Sequence, residues 1–331
     1  VALTELKAQL GDGLKPLMLK QLSSDIAYKH GNSGLSTQLA LDAFSWTDET
    51  GHMEAPANVF INTTLSGDQR DLTFRASRLD LGRLRHFAEA LPIPDSVRRQ
   101  LAEVAPSGVI EKLKAKAVLT GEAVSSYDAQ GAFSNLALKS ADGTRFIRGL
   151  SANFDVNQNG GKLLLNTGRS MLAAPNILPI NEVPLDQLTG QINWSKSGDL
   201  LTVRVKALQL LNADLQAEVN GSWSGSVLST ASEEDKAGQV DMKIVFDEAK
   251  TESGWKYIPL SASPDISKWV KGAISGGTMS DFRIEMSGRV WDMPYGAPEA
   301  GAAPGSTEAK GAPGKFYLGF KTKDVNVKYA D

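Results

Sequence analysis

The residues of this chain best suited to chemistry are its carboxylates. Asp241 with Asp247, or the run Glu233, Glu234 and Asp235, could in principle divide the acid and base roles of a hydrolysis. At 22% charged residues such groupings arise without a catalytic purpose, so they imply no reaction. A serine nucleophile fares no better: the GSWSG stretch around Ser224 has no strand-turn-helix setting, and no histidine follows Ser224 to serve as base. The only histidines, His30, His52 and His86, are scattered without ligand spacing, and cysteine is absent, which removes disulfides and thiolate metal or redox chemistry. Gly11-Asp12-Gly13 reads as a helix stop and not a phosphate loop. Trp194, Trp255, Trp269 and Trp291 could stack on sugars, but Trp194 occupies the place of Tyr28 in an internal repeat, as a packing residue would. The expectation is no enzyme, with no catalytic residue, metal or cofactor.

Charge excludes a further class. Lys plus Arg number 35 against 38 Asp plus Glu, a net charge of -3, so there is no basic field for a phosphate backbone and no nucleic-acid partner is expected. The opening VALTELKAQL has neither the charged nor the apolar region of a signal peptide, and Val1 in place of Met suggests a piece of a longer protein. No run approaches the roughly 20 apolar residues of a membrane-spanning helix, so any anchor is expected outside this chain.

The elements that would carry such residues are strands. Leu150, Ala152, Phe154 and Val156 alternate with polar neighbours, as do Leu201, Val203 and Val205, and Leu211, Ala213, Leu215, Ala217 and Val219. Val240, Met242, Ile244 and Phe246; Phe282, Ile284 and Met286; and Phe316, Leu318 and Phe320 repeat the pattern. Period-2 alternation places each apolar set on one face of a strand, and about 15 such segments separated by turn residues predict a mostly antiparallel sheet. Helical spacing is confined to Leu84, Phe87 and Leu91, to Val97, Leu101 and Val104 behind Pro94-Asp95, and to Ile266, Trp269, Val270 and Ala273 behind Pro264-Asp265.

Self-similarity organises the whole. Leu22, Ile26, Tyr28 and Leu35 recur as Leu188, Ile192, Trp194 and Leu201, each 166 residues later, and Gly108 recurs as Gly277. This predicts two copies of one unit, 1–166 and 167–331, each a run of strands with a short helix near its middle. The Ala/Gly/Pro-rich stretch 296–314 is expected to be disordered, and 229–238 to be a polar loop.

A sheet with one apolar face must cover it with a second sheet, with helices, or by closing on itself, unless a ligand does so. The helices are too short and too few. An apolar barrel of about 15 strands would be too wide for side chains to fill, so an elongated trough is the consistent solution, some 70 Å long at about 4.8 Å per strand. Such a trough suits acyl chains, each buried methylene being worth about 0.8 kcal/mol.

Several stretches resemble one family. RASRLDLGRLRHFAEALPIPDSVRRQLAEVAPSGVIEKL, LPINEVPLDQLTGQINW, LQLLNADLQAEVNGSW, and IPLSASPDISKWVKGAISGGTMSDFRIEMSGRVWDMPYG followed by GKFYLGFKTKDVNVKYAD are similar to the AsmA-like envelope proteins of Gram-negative bacteria, in their YhdP branch. The resemblance implies a mainly β fold, an elongated, twisted antiparallel sheet curved into a U-shaped apolar groove with a few short amphipathic helices. It implies a periplasmic protein, anchored in the inner membrane in its full length, that carries phospholipid between inner and outer membranes. Envelope partner proteins are not identified by it. The groove residues would then be Phe154, Val203, Val205, Leu215, Val219, Ile244, Phe246, Phe282, Ile284, Met286, Phe316, Leu318 and Phe320. The alternative is a structural or assembly scaffold of the envelope, with a closed β core and no lipid cargo.

Overall fold

A computed structural model describes residues 1–31, 35–91, 95–121, 123–140, 142–144, 146–173, 175, 177–258, 260, 264–293 and 314–328, with the side chains at 96, 97, 100, 264 and 266 outside the description. The fold is mainly β, antiparallel, with few and short helices, and it divides into two compact units, Val1–Gln158 and Asn159–Asp331.

The first unit is a meander. Strands β1 (Ala2–Ala8), β2 (Leu17–His30), β3 (Ser36–Asp48), β4 (Ala57–Ser66) and β5 (Gln69–Asp80) each pair with the next, antiparallel. Helices α1 (Leu81–Phe87) and α2 (Asp95–Val104) intervene before β6 (Ser107–Thr120), which pairs with β5 and with β7 (Ala123–Lys139), and β8 (Phe146–Asn157) follows β7. Asp80 starts α1 by accepting a hydrogen bond from the Arg83 amide at 2.9 Å.

The second unit repeats the logic with an inserted hairpin. Strand β9 (Gly160–Thr167) is followed by the hairpin of β10 (Ser170–Ala173) and β11 (Glu182–Leu185), and then pairs with β12 (Gln187–Ser197). The sheet continues through β13 (Leu200–Leu211), β14 (Leu215–Ser226), β15 (Gln239–Lys250), β17 (Thr278–Arg289) and β18 (Lys315–Lys323). Helix α3 (Glu233–Ala237) precedes β15; a 3-10 turn (Thr251–Tyr257) and α4 (Pro264–Ala273) lie between β15 and β16 (Ile274–Ser275), which pairs with β19 (Asn326–Val327).

Turn chemistry explains much of this. Gly67-Asp68 and Gly198-Asp199 each join two paired strands in a two-residue turn whose first place is glycine at φ 60° and 58°, the requirement of a type II′ hairpin. Elsewhere the strands bulge. Ala43, Lys112, Asn135, Ala207 and Asp281 have φ near +50° and sit at register shifts, so one extra residue is inserted and the apolar face resumes three residues on, from Val205 to Leu208 and from Phe133 to Leu136.

Three expectations are corrected. The apolar series from Leu211 to Val219 is not one strand: β13 ends at Leu211, and Asn212 Oδ1 accepts from the amides of Asp214 and Leu215 at 2.9 and 3.0 Å, turning the chain into β14. Gly11-Asp12-Gly13 joins two strands rather than ending a helix, with Gly13 at φ 74°. The polar stretch 229–238 contains α3, capped by Ser232, which accepts from the Asp235 amide at 3.1 Å. The expected disorder at 296–314 lies outside the described residues, apart from Gly314.

Candidate binding face

Register places the apolar residues of the second unit in rows. Leu163, Ile192, Val205, Gly221, Met242, Met286 and Phe316 stand opposite one another across the sheet, strand by strand from β9 to β18. Val219, Ile244, Ile284 and Leu318 form the adjacent row, and Ala217, Phe246 and Phe282 the next, with Leu215 opposite Ala249 and Val203 opposite Trp223 beyond. Phe246 stacks on Phe282 at 4.4 Å between centroids, and Phe320 meets Phe282 edge-on at 5.9 Å. Thus the second-unit residues singled out in the sequence share one face. Seven strands at about 4.8 Å spacing make that face about 30 Å across.

Among the described residues, the large apolar side chains of this face stay partly open to water. Phe316, Leu318 and Phe320 are 54, 48 and 51% exposed, and Val203, Val205, Ile244, Phe246, Ile284 and Met286 are half-buried. The buried apolar residues of the unit are small or aliphatic, Leu165, Val183, Leu185, Leu188 and Val240 with four alanines and no aromatic ring, and among the described residues Thr167 is the largest side chain less than 2% exposed. A filled core hides its large aromatic side chains as well.

The reverse face is polar. Lys243 and Arg283 lie 3.9 and 3.4 Å from Glu285, and the Arg283 guanidinium sits 4.9 Å over the Tyr317 ring. These exposed pairs contribute little to stability and keep that side in water.

The first unit has the same division, which the sequence reading met only at Phe154. Phe154 lies over Gly131 in β7 and stacks on Phe133 at 6.1 Å. Tyr28, Leu39, Ile61, Phe74, Ala115, Ala129 and Val156 make a row across β2 to β8. Tyr28 and Ile26 are 63 and 48% exposed. These residues were overlooked as candidates, although Ile26 and Tyr28 are the counterparts of Ile192 and Trp194 in the repeat.

Polar anchors hold the helical connectors in each unit. Asp48 Oδ1 accepts from the Thr50 hydroxyl at 2.5 Å and from the amides of Thr50 and His52 at 2.9 and 3.0 Å, while Oδ2 accepts from Arg83 Nη1 at 2.8 Å. The Thr50 hydroxyl outweighs burial, and with the amides and the guanidinium holds the Asp48 carboxyl below the usual range. In the second unit Asp214 accepts from Ser253 Oγ and Lys256 Nζ, both at 2.8 Å, and from the Tyr257 hydroxyl at 3.0 Å, and Asn212 Nδ2 donates to that hydroxyl at 2.9 Å. Burial pushes Asp214 up, but the three donors together hold it below its ordinary value. Burial and the neighbouring carboxylate push Tyr257 up to about 12, and its hydroxyl, with Ser253 and Lys256, pins the connector to Asp214.

Among the described residues no three His, Asp or Glu side chains gather as metal ligands, and no helix is long and apolar enough to cross a membrane. No curated protein and no solved structure matches the chain. A family model described as YhdP protein matches residues 4–331, nearly the whole chain. The sheet with its apolar rows and short helices, and the motifs of both units, are accordingly those of a chain that belongs to the YhdP family.

Proposed function

We propose that the apolar face is a trough that holds the acyl chains of phospholipids, their head groups in water, and that the chain is a segment of a conduit carrying lipid across the periplasm between inner and outer membranes. The observation that carries this reading is the unsealed face: apolar rows continue in register from strand to strand while their members stay half-exposed. Water against that much hydrocarbon is costly, at about 25 cal/mol for each Å² of apolar surface, so an apolar occupant is stabilised there. Family membership agrees with an envelope role in lipid transport. In this reading the protein performs no reaction; it lowers the cost of moving hydrocarbon through water. The membranes are engaged by parts of a longer protein, including an inner-membrane anchor, and the stretches resembling AsmA-like proteins support that placement.

The test is capture in cells. Photoreactive residues at Phe154, Ile244 and Phe320 are expected to crosslink phospholipid, and the same residue at Lys243 on the reverse face is not. Equal silence at all four positions contradicts the proposal.

A further inference from the structure

Helix α1 covers part of the first unit's apolar face without filling the space beneath it. Its Phe87 meets Trp46 of β3 edge-on at 4.8 Å, and Leu84 and Phe87 roof a cavity of about 190 Å³ whose floor is Leu19, Leu22, Trp46 and Val59. A dry apolar cavity of about 150 Å³ accepts a benzene molecule, so this one has room for a stretch of hydrocarbon. The floor is continuous with the open face: Leu22 pairs with Trp46, and Val59 stands next to Ile61 on the same side of β4.

One side of the cavity is polar and carries charges of both signs. Glu54, Arg78, Asp80 and Arg83 line it there. Arg83 is held by Asp48, and Asp80 caps α1. Arg78 is less committed: its Nε is buried, makes no hydrogen bond, and lies 3.8 Å from Glu54 Oε1. An amphiphile matches this layout, tail under the helix and polar end at the Arg78 side. A purely apolar guest would leave Arg78 as it is, and a purely polar one would leave the floor wet.

Resting on the lipid reading above, we propose that the cavity under α1 is a discrete holding site for one acyl chain of a lipid, separate in character from the uncovered face because it encloses the chain on both sides. Enclosure has a consequence. A chain between the sheet and α1 has protein both below and above it and loses more contact with water than on the open rows, so this position binds hydrocarbon more tightly and is where a lipid pauses.

The experiment uses the full-length protein in cells fed ω-alkynyl palmitate, which tags acyl chains whatever head group they carry. Photoreactive residues go in turn at Val59 in the floor, Leu84 in the roof, Ile244 on the open face of the second unit, and Lys116 on the polar reverse face of the first. Capture at Val59 and Leu84 at least about ten-fold above Lys116 is expected. Capture at Ile244 with neither Val59 nor Leu84 above Lys116 overturns the holding site and leaves the trough standing. Capture at Val59 and Leu84 without Ile244 keeps the site and overturns the trough. Capture at none overturns both. Two positions from different elements guard against one substitution disturbing the fold.

Discussion

Arg83 in α1 reaches Asp48 at the end of β3 with Nη1 2.8 Å from Oδ2, and this one ion pair ties the roof of the cavity to the sheet below it. Asp48 is almost buried and Arg83 about a quarter exposed, so the bond is shielded from water on the carboxylate side. The second unit solves the same problem differently: the connector after β15 is pinned through Ser253, Lys256 and Tyr257 to Asp214 and Asn212 at the β13–β14 turn. Both pins join a connector to a turn that lies one strand pair earlier in the chain.

Removing the carboxylate should cost more than removing its partner. Asp48→Ala leaves Arg83, Thr50 and the amides of Thr50 and His52 without their acceptor and is expected to destabilise by about 3 kcal/mol. Arg83→Ala leaves a carboxylate still satisfied by three donors and should cost about 1 kcal/mol. Urea unfolding of the two variants measures the difference.

Acid should weaken both pins. Asp48 and Asp214 have folded-state values below the ordinary 3.8, so each contributes stability that is fully present above that value and lost as pH falls through the lower folded one. Glu54 runs the other way: burial, with the adjacent Asp80, raises it above 4.5, so its effect favours the fold below 4.5 and fades as pH rises through its folded value. The wild type is therefore expected to lose unfolding free energy below about pH 4 more steeply than Asp48→Asn or Asp214→Asn, which start less stable and stay flatter. Thermal unfolding between pH 2.5 and 6 reads the slopes.

The bulge at Ala207 should be sensitive to shape and not to polarity. At φ 47° a β-branched side chain crowds its own backbone, so Ala207→Val is expected to destabilise by about 1–2 kcal/mol, whereas Ala207→Gly should be neutral or mildly stabilising. Deleting Ala207 removes the extra residue and restores plain alternation, so Leu208 and Leu210 keep the face of Val205 and the loss is expected to be smaller than that of Ala207→Val. Chemical denaturation of the three variants checks the order.

A charge on the open face should spare the fold. Val205→Asp places a carboxylate among half-exposed neighbours, where water reaches it, and is expected to change unfolding free energy by about 1 kcal/mol or less while abolishing lipid capture at Ile244. In a sealed core the same substitution would cost several kcal/mol. Circular dichroism melts alongside crosslinking separate the outcomes.

Strand identity and facing were legible wherever alternation ran unbroken, as from Val240 to Phe246, because each apolar side chain there declares its own face. They were not legible across bulges. Leu208 and Leu210 share a face with Val205 only because the bulge at Ala207 absorbs one residue, and no local pattern marks an alanine as left-handed. Nor was Leu211 to Val219 readable as two strands, since Asn212 turns the chain while the apolar alternation runs on. The cavity under α1 depends on Leu22, Trp46, Val59 and Phe87 meeting from four elements, a long-range event that spacing along the chain does not encode.

The openness of the apolar face can be measured directly because the chain has no cysteine to interfere. Ile244→Cys puts a thiol in the middle of the face, and its rate of maleimide labelling is followed in this chain, delipidated, with and without phospholipid vesicles. The account predicts rapid labelling when the face is empty, near that of Lys243→Cys on the reverse side, and protection of Ile244→Cys alone once vesicles are added. A thiol at 244 that stays unreactive in the delipidated, folded protein, with 243 labelling freely, would mean a sealed core and would contradict the account.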